Sequence, residues 1–503
     1  MQKTGLNYLY LLIVIFLFSC SEDSKKNSQI TVNNYYTQGN HNRTAAEWEP
    51  ALGTMIVWPL SIPYKLVVEL ANDNHLYTMV ENEDSRKEAE KWFNEWHINP
   101  ENVTFIYAQQ GVDSWWTRDW GPSAVFTYDN KYKLADGKYI YATPGTDMAC
   151  NDSLRFQYFD ENNKMLLTQI DDDATIPLAK QLGYELMDLP FNNTGGNVLT
   201  DGLGTAFSTC VIKAENKFHG IDSESFLQLN DSLLGFQTYN IISNFEHRGI
   251  QHIDCLLKII DEETILVAEP PSDHELFGVY NEIVEEELSK LKTPYGRTYK
   301  ILRIKTARYM EERLAAYTNS LILNKTVYVP LFDIDQDSEA LKTWADAMPG
   351  YTIKGFKFYL DDEPFVTDKL RRHYRSYGWN EGDALHCRTR AIWNPDMLFV
   401  SIKTIKPKVD VNQDNKVYAT IIDYSGKGLV KDKNELHWRL EGETKWNNIT
   451  LNQSENENHF FAQIPNHKSG TTIEYYISAV SNSGEKETRP ITAPLANYEF
   501  TIN

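Results

Sequence analysis

Regular alternation between strand-like and helix-like segments is the strongest constraint on the fold of this chain. Between Trp48 and about Val400, short apolar runs of strand character alternate with stretches whose apolar residues recur at helical spacing. The clearest are predicted strands at 55–58, 104–108, 264–267 and 326–331 and predicted helices at 85–96, 281–292 and 338–348. Because such elements pack as layers of sheet and helix, residues 46–403 are predicted to form an α/β domain.

The character of the sequence changes after Lys406. Short alternating or β-branched runs at 416–423, 435–441, 459–464 and 472–480 are separated by Ser-Gly and Asn-rich turns, and no helical spacing occurs among them. Residues 404–503 are therefore predicted to form a second, all-β domain, an immunoglobulin-like or fibronectin-like sandwich. No internal repeat of fixed period is evident along the chain.

The first twenty residues have the features of an export signal. Lys3 is followed by an apolar stretch at 6–18, and Leu17-Phe18-Ser19-Cys20 is similar to a bacterial lipobox. The alternative, an uncleaved anchor helix, is disfavoured because about 13 apolar residues are fewer than the ~20 that span a bilayer. We predict a signal peptide at 1–19, lipidation of Cys20 and a flexible linker over the rest of 20–45. The mature chain would be an outer-membrane or cell-surface lipoprotein of a Gram-negative bacterium, with secretion as the alternative.

Charge and cysteine usage exclude several functional classes. Lys+Arg 49 against Asp+Glu 70 gives a net charge of −21, which disfavours nucleic acid as a partner. The cysteines show no CxxC spacing, and they are too few and too scattered for a disulfide framework or a structural zinc site: Cys20, Cys150, Cys210, Cys255 and Cys387.

Two of four notable segments are uninformative when taken alone. Trp116-Thr117-Arg118-Asp119-Trp120-Gly121-Pro122 places an aspartate beside an arginine before a Gly-Pro turn, which favours a structural ion pair. Thr194-Gly195-Gly196-Asn197, followed by Asp201-Gly202, is a glycine turn that permits close backbone approach. It lacks the Lys-Ser/Thr of a phosphate-binding loop, so phosphate binding is not indicated.

The other two segments carry candidate catalytic groups. If Gln251-His252-Ile253-Asp254-Cys255 is a strand, His252 and Asp254 share one face and can form an acid/base and cation-binding pair, whereas Cys255 faces the core. A solvated strand face is the alternative. In Gly382-Asp383-Ala384-Leu385-His386-Cys387-Arg388-Thr389, the flanking His386 and Arg388 would favour a Cys387 thiolate if they turn towards it. An inert buried thiol is an equal alternative.

Taken together, these segments resemble one family, the bacterial Porphyromonas-type peptidylarginine deiminases. This family belongs to the guanidine-modifying superfamily together with the agmatine deiminases. The resemblance covers about 350 residues and rests on motifs that occur in family order: Ala46-Glu47-Trp48-Glu49-Pro50, Val57-Trp58-Pro59, Trp-Thr-Arg-Asp, Gly-Gly-Asn, His-Ile-Asp-Cys, Tyr317-Thr318-Asn319-Ser320 and Leu385-His386-Cys387-Arg388-Thr389. The predicted C-terminal β-sandwich is likewise similar to the immunoglobulin-like domain found in the peptidylarginine branch of the superfamily.

The resemblance implies both a fold and a set of roles. The α/β domain would be a five-bladed, pseudo-symmetric α/β propeller with the site at its centre. Cys387 would be the nucleophile and His252 the general acid and base. Asp119 and Asp254 would bind the guanidinium. Asn319 would be a further catalytic residue, and Trp116 would line the substrate slot.

The chemistry of this set follows from the shape of a guanidinium. The group is planar, cationic and rich in N–H donors, so two carboxylates at its edges leave the central carbon open to the Cys387 sulfur. His252 would protonate the departing nitrogen, which then leaves as ammonia. It would next activate the water that hydrolyses the thiouronium, and this step yields citrulline. Since the carboxylates raise the thiol pKa in the empty site, a bound cation is expected to activate the nucleophile.

This scheme needs no cofactor or metal. Asp333-x-Asp335-x-Asp337 and Asp410-x-Asn412-x-Asp414 are superficially similar to calcium loops, but neither has Gly at the sixth position or Glu at the twelfth. They are interpreted as solvated turns, with an incidental structural calcium or sodium ion as the alternative.

One departure from the family bears on the substrate. The characterised members clamp a C-terminal arginine with an Arg-x-Arg pair, whereas the corresponding residues here, 141–146, contain no arginine; Arg155 is a candidate replacement. Three hypotheses follow: a deiminase of peptide or protein arginine, a deiminase of agmatine or another small guanidine, and a non-enzymatic surface binding protein.

Overall fold

The architecture is taken from a computed structural model of the chain. The structure describes residues 35–112, 114–139, 142–144, 154–156, 169–246, 250–411 and 414–503. The predicted signal peptide at 1–19, the lipidation site Cys20 and the first part of the predicted linker lie outside these residues. Within the described ranges, no helix combines the length and the apolarity needed to cross a membrane.

Residues 35–45 are folded, which corrects the prediction of a flexible linker up to residue 45. Strand Arg43–Thr44 pairs antiparallel with Ser123–Phe126. The Tyr36 carbonyl accepts a hydrogen bond of 2.8 Å from Thr420 Oγ1. This segment has a largely polar composition, which predicted a linker, but its aromatic and charged side chains pack against the folded domain.

Five sheets of the α/β part share one pattern, in which an antiparallel pair is followed by a strand parallel to the second member of the pair. The antiparallel pairs are Ser123–Phe126 with Tyr132–Lys138, Leu199–Thr200 with Thr205–Thr209, Leu257–Asp261 with Thr264–Glu269, Leu321–Leu323 with Thr326–Leu331, and Arg390–Trp393 with Ala51–Val57. The parallel strands are Glu185–Asn192, Thr238–Ile242, Lys300–Lys305, Thr352–Lys357 and His75–Val80, the last extended by Val103–Tyr107.

Helices lie mainly in the connections to the parallel strands, as right-handed crossovers require. The α-helices are Tyr64–Asp73, Glu83–Glu95, Thr117–Trp120, Gln169–Asp172, Thr175–Leu182, Val211–Phe218, Ser223–Leu229, Ile253–Leu256, Phe277–Glu282, Gln336–Ala347 and Asp368–Tyr374. Shorter or irregular turns of helix are Pro100–Asn102, Gly195–Asn197, Asn230–Leu234, Ile283–Glu287, Leu288–Lys290 and His386–Arg388. Short ribbons pair Ala142–Pro144 with Leu154–Phe156 and Arg308–Met310 with Arg313–Leu314.

Most predicted elements of the α/β part are confirmed to within a few residues. Strand Thr326–Leu331 has the predicted bounds, and the helix predicted at 85–96 is Glu83–Glu95, whose first turn is capped by the Asn82 side chain. The helix predicted at 281–292 is instead a short α-helix followed by irregular turns through Lys290.

The C-terminal part consists of two β-sheets that enclose one core. One sheet contains Leu398–Lys403, Lys416–Asp423, His459–Gln463 and Asn452–Gln453. The other contains Lys408–Val409, Tyr498–Ile502, Thr472–Val480, Glu435–Leu440, Asn447–Thr450 and Lys486–Arg489. Buried residues of both sheets, such as Val417 and Ile473, form a single hydrophobic cluster. Because Leu398–Lys403 pairs within this part, the boundary expected at 403/404 lies earlier in the chain.

Candidate active site

Each of the five sheets begins directly after a short turn, and these turns carry the polar residues of the site. Asp119 precedes strand Ser123–Phe126 and Asn197 precedes Leu199–Thr200. In the same way, Asp254 precedes the third sheet, Asn319 the fourth and Cys387 the fifth. All five residues are buried, with side chains at most 3% exposed. One structural position, repeated five times, therefore supplies one polar group from each sheet.

Three of the predicted side chains converge on Gly196. A Cβ atom at this glycine would lie 2.6 Å from Asp119 Oδ1, 2.8 Å from His252 Nδ1 and 3.3 Å from Asp254 Oδ2. The Gly196 amide donates a hydrogen bond of 3.1 Å to Asp119 Oδ1, and His252 Nδ1 lies 3.5 Å from the same oxygen. The close backbone approach predicted for the Gly-Gly-Asn turn thus occurs at the site itself, where a side chain would clash.

The thiol of Cys387 joins this cluster. Its sulfur lies 3.8 Å from Asp254 Oδ2, and Asn319 Nδ2 donates to it at 3.2 Å. Asn319 Oδ1 accepts hydrogen bonds of 3.2 Å from the Ala384 amide and 3.0 Å from the His386 amide. Asn319 therefore both holds the turn that carries the cysteine and contacts its sulfur.

The electrostatic environment of Cys387 disfavours a thiolate in the empty site. A hydrogen bond from Cys255 lowers the pKa of the Cys387 thiol, but burial and the carboxylates Asp254, Asp383 and Asp119 outweigh it and raise this pKa to about 11. This is the direction expected from the sequence for a cysteine between two substrate-gripping carboxylates.

The residues that flank Cys387 do not place positive charge beside its sulfur, which was the condition for them to favour a thiolate. His386 Nδ1 lies 2.7 Å from Asp254 Oδ2, and Arg388 Nε donates to Asp383 Oδ1 at 2.8 Å. Both side chains turn to carboxylates rather than to the sulfur. The short helical turn His386–Arg388 points successive side chains in different directions, which sequence adjacency does not reveal.

The strand on which the pairing of His252 and Asp254 was conditional does not form, because residues Ile253–Leu256 form a helical turn. Gln251 has a φ of 61°, a left-handed conformation held by its side-chain hydrogen bonds to the backbone of 245 and 246. His252 and Asp254 still face one cluster. Cys255, predicted to face away into the core, is buried but lies in the site: its sulfur is 3.6 Å from both Asn319 Nδ2 and Asp254 Oδ1.

The titratable groups of the site differ in their tendency to ionise. Burial raises the pKa of Asp119 despite the opposing effect of His252. Burial also acts on Asp254, but hydrogen bonding and charge from His386 lower its pKa below the usual value. Burial lowers the pKa of His252, because it disfavours the protonated ring. The carboxylates of Asp119, Asp254 and Glu215 outweigh burial, so the pKa of His252 is raised. His252 therefore holds a proton more readily than a free imidazole does.

Comparison with known proteins identifies the family. The model of the Porphyromonas-type peptidyl-arginine deiminases matches residues 43–359, which is well over half of the chain. The chain belongs to the Porphyromonas-type peptidyl-arginine deiminase family. This family indicates a deiminase of guanidine groups, that is, a hydrolase of C–N bonds.

Individual relatives of this family member are distant. A protein of Vibrio parahaemolyticus serotype O3:K6 (strain RIMD 2210633), named "Putative agmatine deiminase", is 26% identical over 215 residues, which cover 37% of this chain and 58% of that protein. The chain thus spans little more than half the length of this curated relative.

Solved structures of similar fold cover most of the α/β part. The "Putative Arginine Deiminase from Porphyromonas gingivalis" matches with a TM-score of 0.52 and 19% identity, over 70% of this chain and 99% of that one. The agmatine deiminase of Enterococcus faecalis matches with a TM-score of 0.52 and 17% identity, over 71% of this chain and 97% of that one. At these identities the match shows the mixed α/β fold.

A second layer of charged residues in this deiminase-family site was not predicted as functional. Glu47 Oε2 lies 2.7 Å from His386 Nε2, 3.1 Å from Lys258 Nζ and 3.9 Å from Arg118 Nη1. Arg118 therefore pairs with Glu47 and not with its neighbour Asp119. A signal for Lys258 was present in the sequence, since a lysine inside the apolar run Leu256-Leu257-Lys258-Ile259-Ile260 is buried only when it is paired.

Asn197 was quoted with its motif but given no role. Its Oδ1 accepts hydrogen bonds from the Thr209 amide at 3.0 Å and from the Ile253 amide at 3.2 Å. It thereby ties the glycine turn of the second sheet to the helical turn that carries His252 and Asp254. A buried asparagine next to two glycines is a weak sequence signal, because turn chemistry alone accounts for it.

The predicted turn at Asp333–Asp337 is not solvated throughout. Asp337 is buried, and its carboxylate accepts hydrogen bonds from the amides of Phe332 and Asp333 and from Tyr317 Oη. Asn412 lies outside the described residues. Within the part of the chain that the structure describes, no group of three or more potential ligands has the geometry of a metal site.

Three further observations concern the remaining predictions. Cys210 is disulfide-bonded, whereas Cys255 and Cys387 are free. In the short ribbon near the predicted substrate-carboxylate region, Thr143 is the backbone partner of Arg155. Residues 140–141 and 145–153 lie outside the described residues. Trp116 is half-buried and donates from Nε1 to Asp383 Oδ2 at 2.7 Å, beside one of the carboxylates that raise the Cys387 pKa.

Proposed function

We propose that this protein hydrolyses the guanidinium of arginine residues in peptides or proteins to the ureido group of citrulline, with release of ammonia. The observation that supports this most is the convergence of Cys387, Asp254, Asp119 and His252 from three separate sheets onto one buried cluster. A thiol, two carboxylates and an imidazole are the groups that cation binding, nucleophilic attack and proton transfer require.

Substrate binding relies on the two carboxylates. Asp119 and Asp254 would each accept hydrogen bonds from the N–H groups at the guanidinium edges, which compensates its charge in a buried pocket. Trp116 would line the approach to this pocket. The bound cation would then lower the thiol pKa of Cys387 from its raised value in the empty site, because it cancels the field of the carboxylates.

The covalent sequence balances with water as the only other reactant. The Cys387 thiolate attacks the guanidinium carbon, and His252 protonates a terminal nitrogen, which leaves as ammonia. Water, deprotonated by His252, adds to the resulting thiouronium carbon, and the C–S bond breaks to return the thiolate. The net change is arginine side chain plus water to citrulline side chain plus ammonium. Asn319, through its hydrogen bond to the sulfur, would steady the thiolate.

Arginine in peptides is favoured over agmatine for three reasons. The family that matches is named for peptidyl-arginine. The proposed signal peptide and the lipidated Cys20 would place the enzyme on the outer membrane or cell surface, or release it, and the disulfide at Cys210 is consistent with an oxidising compartment. The C-terminal β-sheets suit an enzyme acting on polymers. No preference for a C-terminal arginine is proposed.

The architecture proposed for this function is a five-bladed, pseudo-symmetric propeller followed by an immunoglobulin-like domain. Five sheets of one pattern, each with a polar residue directly before its first strand, support the propeller. Two sheets around a single core support the immunoglobulin-like assignment. The reaction as proposed uses no metal or cofactor.

The experiment is a measurement of ammonia release and of citrulline from four substrates, namely peptides with internal arginine, peptides with C-terminal arginine, free arginine and agmatine. We expect turnover of at least one peptide class in excess of agmatine, and loss of it in Cys387→Ala. Agmatine as the best substrate would support the small-guanidine alternative. No ammonia from any guanidine would favour the non-enzymatic binding protein.

A further inference from the structure

His386 occupies the centre of a buried chain of hydrogen bonds behind the site. Its ring is fully buried. Nδ1 lies 2.7 Å from Asp254 Oδ2, and Nε2 lies 2.7 Å from Glu47 Oε2. Among the described residues, no other histidine has a carboxylate oxygen within hydrogen-bond distance of both ring nitrogens.

The two contacts together require two protons. A neutral imidazole carries one N–H, so one of its nitrogens would present a lone pair to a carboxylate at 2.7 Å. The second proton must therefore reside on the ring, which makes it an imidazolium, or on one of the two carboxylates. Asp254 is disfavoured as the site of this proton because its pKa lies below the usual value.

The surroundings of Glu47 favour the imidazolium. The pKa of Glu47 is held well below its usual value: burial opposes ionisation, but His386, Lys258 and Arg118 outweigh it. The Ile322 amide also donates to Glu47 Oε1 at 2.8 Å, and a charged acceptor strengthens that bond. Glu47 is thus the poorer place for the proton.

The cations around His386 disfavour an imidazolium, because they lower the pKa of the ring. Burial, Arg118 and Lys258 lower the pKa of His386, whereas Glu47 and Asp254 raise it, and the balance is a lowered pKa. Both carboxylates are in direct hydrogen-bond contact with the ring at 2.7 Å, so the number of protons that these contacts require decides in favour of the imidazolium. The charged groups with the largest effect on the ring are Glu47, Asp254, Arg118 and Lys258.

We propose that His386 is a positioning residue, an imidazolium held between Glu47 and Asp254 that keeps the Asp254 carboxylate ionised and aimed at the substrate guanidinium. This inference rests on the proposed function. Without the ring, Asp254 would lose its closest hydrogen-bond donor and its nearest positive charge. A protonated Asp254 could no longer balance the cation of the substrate.

His386→Gln tests the role, since glutamine keeps a hydrogen-bond donor but no charge. We expect kcat/KM to fall by about 10²-fold near neutral pH. The acidic limb of the kcat/KM profile is expected to move to higher pH, because the Asp254 pKa rises when His386 is removed. The matched control is His437→Gln, a buried histidine of the C-terminal sheets that bonds to Asn448 and Ser478; it should leave the profile unchanged.

A merely structural role would give a different result. It would lower activity equally at all pH values and leave the acidic limb in place, which would overturn the inference. An unchanged kcat/KM in a folded His386→Gln variant would overturn it as well. If the wild-type protein deiminates no guanidine, the proposed function fails, and this outcome is distinct from the other two.

The charge of the ring can be measured even if the variant does not fold. His252→Gln removes the other site histidine, which is also buried and has a raised pKa. In this protein with ¹⁵N-labelled histidine, one histidine should show two exchange-protected ring N–H groups with imidazolium shifts at neutral pH. Detection of this pair supports the inference. If every solvent-protected histidine carries a single ring proton, the inference is overturned.

Discussion

At the scale of single residues, Asp119 and Asp254, the two carboxylates proposed to bind the guanidinium, differ in pKa because their neighbours differ. Asp254 has His386 at 2.7 Å and a lowered pKa, whereas Asp119 has His252 at 3.5 Å and a raised pKa. In the empty site Asp254 is therefore the more strongly ionised of the two.

Gly196→Ala tests the convergence of three side chains on one point. The new methyl would approach Asp119 Oδ1 to 2.6 Å and His252 Nδ1 to 2.8 Å, so both groups must shift. We expect kcat/KM to fall by about 10²-fold or more, since displacements near 1 Å have this effect. Gly278→Ala is the control, because a Cβ there meets nothing within 4 Å. Full activity of Gly196→Ala would contradict the geometry.

Glu215→Gln tests the pH dependence. Burial raises the pKa of Glu215 to about 7, and its carboxylate helps to raise the pKa of His252. If protonated His252 is the general acid, activity falls as pH rises through the His252 pKa. Removal of the carboxylate lowers that pKa, so the basic limb of kcat/KM should move to lower pH. Glu224→Gln, on an exposed helix, should not move it, and a shift to higher pH would refute the assignment.

At the scale of elements, the site is built from the turns that precede the first strand of each sheet. Asparagine side chains join neighbouring turns: Asn197 accepts from the Ile253 amide, and Asn319 accepts from the His386 amide. Backbone donors at the start of these short helical turns lack partners within the turn, so a side-chain acceptor from the preceding sheet satisfies them. Register between sheets is thereby fixed at the point where catalysis would occur.

Asn319→Ala is predicted to affect stability and activity together. The change leaves the buried amide of Ala384 without its acceptor, whereas the His386 amide keeps the main-chain carbonyl of residue 319 at 3.0 Å. The free energy of unfolding should therefore fall by about 1–3 kcal/mol. Chemical denaturation measures this, with Asn452→Ala on an exposed strand as control. Loss of activity with unchanged stability would show that Asn319 acts only on the sulfur.

The sequence predicts the strands and helices better than it predicts the site turns. Thr326–Leu331, Lys416–Asp423 and Thr472–Val480 have the predicted bounds because apolar alternation is a direct consequence of burial. The strand considered for residues 251–255 is a helical turn in the structure, since a local apolar pattern carries no information about a turn held by Asn197 from another sheet.

The membership of the cluster was also only partly predictable. Motifs identified Cys387, His252, Asp119, Asp254 and Asn319, and these residues do come together. The position of Cys255 beside the sulfur and the contact of His386 with Glu47 depend on the directions of side chains in turns, which residue spacing does not determine. The fivefold recurrence of sheets has no counterpart in a visible sequence period, because the connections differ in length.

At the scale of the whole molecule, Arg43 joins the α/β part to the C-terminal sheets. Its guanidinium donates to Glu49 at 2.7 Å and to Tyr424 Oη at 2.9 Å, and it lies 4.2 Å from the ring centroid of Phe399. The side chain is buried. A second buried ion pair, Arg489 with Glu262 at 3.0 Å, crosses the same boundary. The two cores are therefore expected to unfold cooperatively.

Arg43→Ala is predicted to cost about 3–5 kcal/mol of unfolding free energy, because it leaves the buried Glu49 carboxylate without its partner. Arg371→Ala, which removes an exposed pair with Asp361, should cost no more than about 1 kcal/mol. Denaturant titration of both variants gives the comparison. Equal costs would show that the Arg43 contact does not stabilise the junction.

In the proposed reaction, the Cys387 sulfur attacks the guanidinium carbon of a bound arginine. Acid quenching during steady-state turnover of an arginine peptide, followed by mass spectrometry of the digested protein, tests for this covalent step. We predict an adduct on the peptide that contains Cys387, with the mass of the substrate less ammonia, and its absence in Cys387→Ala. Turnover that persists in Cys387→Ala, with no adduct in the wild-type protein, would contradict the claim.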